Sequence, residues 1–153
     1  MYPDQRVAAL VSQRFVPIKV HVKENPEGFK RFSAQWTPTM IVADPDGTER
    51  YRFEGYLPAE DFMAHLAIGL AKAAFARGDW ALAEQGFQNV LNRHPNSEVA
   101  PEALYWAGVS RYKASGDPTA LQDTAGAFES RYSESSWAKK ASVWAAGNKT
   151  AAT

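Results

Sequence analysis

Metal binding or proton transfer in this chain would have to draw on three histidines, His21, His65 and His94, and on two close acid pairs, Glu60 with Asp61 and Asp44 with Asp46. A metal site needs several converging ligands, and none of the histidines has a second histidine three or four residues away. Glu60 and Asp61 fit the first turn of a helix, and Asp44 and Asp46 fit a reverse turn, better than a pair of catalytic carboxylates. There is no glycine-rich phosphate loop, no Gly-x-Ser-x-Gly and no His-Glu-x-x-His. Cysteine is absent, which removes disulfides, thiolate ligands and thiol chemistry from these residues. No catalytic residue, cofactor or metal is therefore expected.

The residues with more to offer are Trp36, Thr37, Pro38 and Thr39. Pro38 pushes Thr37 out of the helical region and permits a cis bond, so a tight turn should deliver the chain into a buried strand over Met40 to Ala43. Pro45-Asp46-Gly47 supplies a reverse turn and Glu49 to Glu54 a second strand, with Tyr51 and Phe53 on one side and Arg50, Arg52 and Glu54 on the other. Trp36 either covers the end of this sheet or, if exposed, forms with its neighbours an apolar lip where the Thr39 backbone could pair with an extended peptide.

Other elements position this hairpin. Asp4 is placed to cap a helix with Val7, Leu10 and Val11 on one face. Phe15 to Val22 alternates and is rich in β-branched residues, which predicts a strand. Asn25-Pro26 should start a short helix over Glu27 to Ala34, and Pro58 to Leu70 reads as an amphipathic helix carrying Phe62, Met63 and Leu66.

After Leu66 the texture turns to alanine-rich helix, and the chain repeats itself. A shift of 38 residues superposes Leu66 on Leu104, Gly78-Asp79 on Gly116-Asp117, Ser97 on Ser135 and Trp106-Ala107 on Trp144-Ala145. The unit is a helix, a Gly-Asp turn, a second helix and a polar turn. Two divergent copies and a capping helix, Ser136 to Ala146, are expected. Trp80, Tyr105, Trp106, Trp137 and Trp144 should lie mostly between stacked helices, because a repeat cannot bury its apolar face without its neighbour. The concave face of such a stack is a peptide-binding surface, to which Arg77, Arg111, Tyr112 and Lys113 would add polar groups.

Phe15-Val16-Pro17-Ile18-Lys19-Val20, Trp36-Thr37-Pro38-Thr39 and Asp44-Pro45-Asp46-Gly47 together resemble the later part of a thioredoxin fold, over roughly residues 1 to 70. Gly78, Ala83, Phe87 and Pro95 resemble a tetratricopeptide repeat. The second copy departs from that pattern, with Phe128 displaced from the expected aromatic position and Ser133 in place of the proline. The resemblance implies a partial thioredoxin-like β-α-β-β-α portion (residues 1–68), an all-α tetratricopeptide-like portion (69–147) and a disordered tail (148–153). It also implies that a central strand and a Cys-x-x-Cys helix would precede Asp4. Without that strand, Phe15 to Val22 and Thr39 to Asp44 must pair directly, leave open edges or borrow a strand from a second copy.

The expected function is a non-catalytic protein-interaction module that docks a peptide, a partner protein or a second copy of itself. The alternative is the C-terminal part of a thiol-disulfide oxidoreductase. Lysine plus arginine and aspartate plus glutamate both number 17, so the zero net charge gives no support for a nucleic-acid partner. No run of about 18 apolar residues is present, so no membrane partner is expected and the chain reads as cytoplasmic.

Overall fold

A computed structural model describes residues 4–146. The expected tail over 148–153 lies outside them. Helix α1, Gln5–Arg14, starts at Asp4, whose side chain accepts from the Arg6 amide at 2.8 Å, and it buries Val7. Helix α2, Pro26–Arg31, is capped by Asn25, which accepts from the Gly28 amide. It ends earlier than Ala34 because Ser33 takes a left-handed φ of 54°.

Strands β1, Thr39–Ala43, and β2, Glu49–Glu54, form an antiparallel pair with Met40 opposite Phe53 and Val42 opposite Tyr51. The turn between them closes through Asp44 N to Thr48 O at 2.9 Å, and the Asp46 carboxylate accepts from the Thr48 amide. Thr37-Pro38 is cis. Among the described residues the sheet has these two strands alone.

Phe15 to Val22 is not a strand. Phe15 is extended, but the residues after it form no strand ladder among the described residues, and Val16 and Ile18 stand 89% and 83% exposed. Alternation prepares a segment for a sheet, but a strand exists only when a neighbour supplies its hydrogen bonds. The α/β portion therefore lacks the first strand of the expected β-α-β-β-α order and keeps its hairpin and helices.

Helix α3, Ala59–Ala76, runs without a break through the region where a boundary was expected. Its Phe62, Met63 and Leu66 pack with Val7, Val42 and Phe53, whereas Ala64, Ile68, Ala71 and Ala74 belong to the core of the helices that follow. Those are α4, Trp80–Arg93, α5, Ala100–Ser115, α6, Thr119–Ser130, and α7, Ser136–Ala141. A single 3-10 turn, Ser142–Trp144, completes the stack where a continuous helix to Ala146 was expected.

The 38-residue echo is the punctuation of this stack. Gly78 and Gly116 both take left-handed φ, 78° and 71°, to reverse the chain after α3 and α5. Asp79 and Asp117 then accept from the amides of Leu82 and Thr119 as the next helices begin. The aromatic residues fill the packing between α5, α7 and the last turn, with Tyr105 5.1 Å from Trp137 and 4.7 Å from Trp144 between ring centres.

Candidate interaction surface

The loop before β1 is held by the Thr39 hydroxyl, which donates to the Trp36 carbonyl at 2.6 Å. Trp36 is 67% exposed, and Thr37 and Pro38 are exposed as well. Trp36 therefore has most of its surface in solvent. It overhangs a cavity of about 750 Å³. Trp36, Thr37, Thr39 and Arg77 all line this cavity, so four of the residues singled out in the sequence converge there. Pro38 shapes the loop without lining it. Arg111 and Tyr112 lie elsewhere, exposed on α5, with the Arg111 guanidinium donating to Glu84 at 2.8 Å.

One side of the cavity is the free edge of β1. Gly55 N donates to Pro38 O at 2.8 Å, so by the alternation of an antiparallel ladder Met40 and Val42 turn their backbone groups toward β2. Thr39 and Ile41 turn theirs away, and neither makes a backbone bond to another segment among the described residues. Val16, Ile18, Val20 and Val22 line the same cavity.

The charged residues at the cavity are Arg14, Asp44 and Arg77. Asp44 is already engaged, 2.6 Å from Arg50 and 3.7 Å from Arg77. Its hydrogen bond raises the Arg50 pKa, while the Thr48 amide and hydroxyl lower that of Asp46. Arg14 has no ion pair among the described residues.

His65 joins distant parts of the fold in a way its sequence neighbours could not show. Tyr51 Oη lies 2.6 Å from His65 Nδ1, and His65 Nε2 lies 2.8 Å from a Glu98 carboxylate oxygen. Because the carboxylate can only accept, Nε2 carries a proton, and in the neutral imidazole Nδ1 then accepts from the tyrosine. The chain ties β2 to α3 and to the turn before α5. Its members are 14 and 33 residues from His65, beyond any local pattern. His94 Nδ1 lies 3.4 Å from Glu60, and no group of three metal-ligating side chains forms among the described residues.

Burial, followed by the charges of Glu102 and Glu98, pushes the Tyr51 phenol above its ordinary value. A raised folded pKa favours the neutral phenol, so this contribution to stability is whole below about pH 10, where unfolded tyrosine titrates, and is lost as pH rises above it. Tyr51→Phe should remove that alkaline loss. At neutral pH it should cost about 1–3 kcal/mol by leaving His65 Nδ1 without its donor. Urea melts at neutral pH and above pH 10 check both statements.

The fold and site define an α/β hairpin unit with an open strand edge, continuous with a stack of paired helices. Residues 2–68 match the family model for a thioredoxin-like domain, and residues 68–97 match that for a tetratricopeptide repeat. The chain thus carries a thioredoxin-like domain followed by a tetratricopeptide repeat. No curated protein and no solved structure matches it. Among the described residues no helix is long and apolar enough to cross a membrane.

Proposed function

We propose that this chain is a non-catalytic protein-interaction module, built from a thioredoxin-like portion (1–68) and a helical-repeat portion (69–147), that docks a peptide or partner protein. The observation that carries this reading is the exposed Trp36 lip beside an open, largely apolar cavity, since solvent-facing aromatics at the rim of such a cavity are common anchors of protein contacts. Trp36, Thr37, Pro38, Thr39 and Arg77 form one contact surface, and Arg111 with Tyr112 form a second on the helical stack. A photo-crosslinking residue placed at position 36 should capture a partner that is lost with Arg77→Ala. The same probe at position 112 reports on the helical surface. Absence of any crosslink from both positions would remove the proposal.

The open edge of β1 supports a second reading, a homodimer in which another copy completes the sheet. Sedimentation of the chain alone separates the two: a dimer supports the second and a monomer the first.

A further inference from the structure

We propose that a row of half-buried aromatic rings across the helical stack, with a lysine over each end, docks an acidic segment of a partner protein: a short apolar stretch with a carboxylate toward each end. The inference rests on the interaction function above and names the chemistry that the helical surface would select.

Four helices contribute to the row. Trp80 at the start of α4 meets Phe75 near the end of α3 at 5.0 Å between ring centres, Phe75 meets Trp106 of α5 at 5.2 Å, and Trp106 meets Trp137 of α7 at 6.4 Å. Each of the four residues keeps part of its surface in solvent, so together they make an apolar floor. In the middle of it the Trp106 indole N–H is buried without an acceptor, and among the described residues no other buried side-chain polar atom lacks a partner. A buried indole N–H usually has one, and a docking backbone carbonyl would supply it after a small turn of the ring.

The charge of the occupant follows from what stands at the ends of the row. Lys113, two turns beyond Trp106 on α5, holds its ammonium 5.8 Å from the centre of the Trp80 ring, and Lys140, one turn beyond Trp137, lies 3.9 Å from the centre of that ring. Both lysines are exposed, and neither has an ion pair among the described residues. The carboxylates of α4, α5 and the turns that flank them are all engaged: Glu84 with Arg111, Glu98 with His65, Glu102 with Lys72, and Asp79 and Asp117 with backbone amides at helix starts. On α7, Lys139 and Lys140 outnumber the single Glu134 of the turn before it. Positive charge is therefore left over along this row in a chain whose total is zero, which favours an anionic partner.

The ring-to-ring steps make the row no longer than about five extended residues, which sets the separation of the two acids on the occupant. Nucleic acid is a poor occupant. Lysines cover the faces of Trp80 and Trp137, and Phe75 meets Trp80 and Trp106 edge to face, at 67° and 65°, so little ring face is free for a base to stack on.

The test uses the full chain and a capped peptide with an aspartate at each end of a five-residue stretch of leucine, serine and phenylalanine. The peptide should bind and shift the Trp106 indole N–H resonance, identified by its loss in Trp106→Phe. Exchanging both aspartates for asparagine should weaken binding about fivefold, and in the double variant Lys113→Gln, Lys140→Gln that difference should fall below about twofold. The asparagine comparison is made on the unaltered chain, so it stands whatever the lysine variants do to folding. Failure of the peptide to bind, equal affinity for the asparagine form, or binding without movement of the Trp106 resonance overturns the proposal. So does a preference for aspartate that survives the double variant in full. Oligouridylate moving the Trp106 resonance where the aspartate peptide does not would overturn it too and give the row to nucleic acid. A partner crosslinked at position 36, with the Trp106 resonance unmoved by the peptide, would overturn the row assignment and leave the interaction function standing.

Discussion

Phe87→Ala is expected to destabilise the chain by about 3–5 kcal/mol, toward the upper end of that range. Phe87 sits on α4 with no exposed surface, in a core shared with Ile68, Ala71, Val90, Ala103 and Leu104. Many of its neighbours are alanines, whose side chains have no rotamers with which to swing into a hole. The cavity left by the ring would therefore stay open, and its walls would lose their contacts. Phe87→Leu, which fills most of the space, should cost considerably less. Urea denaturation checks the pair: a fall in midpoint at constant m-value for Phe87→Ala, with a small one for Phe87→Leu. Equal losses would show that ring volume is not what this core requires.

Gly108→Ala should have the next largest effect, about 1–3 kcal/mol, in spite of the usual helix-stabilising sense of glycine-to-alanine changes. A Cβ at position 108 would lie 2.0 Å from the Thr124 hydroxyl oxygen and 2.7 Å from its Cβ. Thr124 is buried, and its hydroxyl donates to the Ala120 carbonyl at 2.8 Å. Rotating it away would forfeit that bond and still leave its Cβ in the way, so α5 and α6 would have to move apart. Thr124→Ala in the same chain should recover part of the loss, and the double-mutant cycle should show a coupling well outside additivity. If Gly108→Ala proves neutral, the two helices cross at a greater distance than described.

Much of the fold could be read from short-range chemistry. Asp4, Asn25-Pro26, the Pro45-Asp46-Gly47 turn and the Gly-Asp pairs at 78–79 and 116–117 each act on amides within a few residues, so their identities carry their geometry. Ala83 and Phe87, singled out as close-packing positions of the second helix, are both fully buried. What could not be read depends on partners distant in the chain. Phe15 to Val22 has the alternation of a strand and no neighbour to make it one. His65 looked solitary because Tyr51 and Glu98 reach it only through the tertiary fold. That α3 runs on through the change to alanine-rich texture and reaches Ala76 could not be read either, because nothing local marks where a helix shared by two cores will end. At the cavity, the residues of the 36–39 loop were legible as a group, but the approach of Arg77 depends on the length of α3.

That uninterrupted helix has a consequence for how the molecule comes apart. Opposite sides of one rod serve as a wall for each of two separate cores, so neither portion can melt without stripping a surface from the other. Dividing the polypeptide at residue 68, where the two family matches meet, would yield pieces that each lack half of a shared support. Loss of structure in the intact chain should accordingly proceed as a single event rather than in two stages.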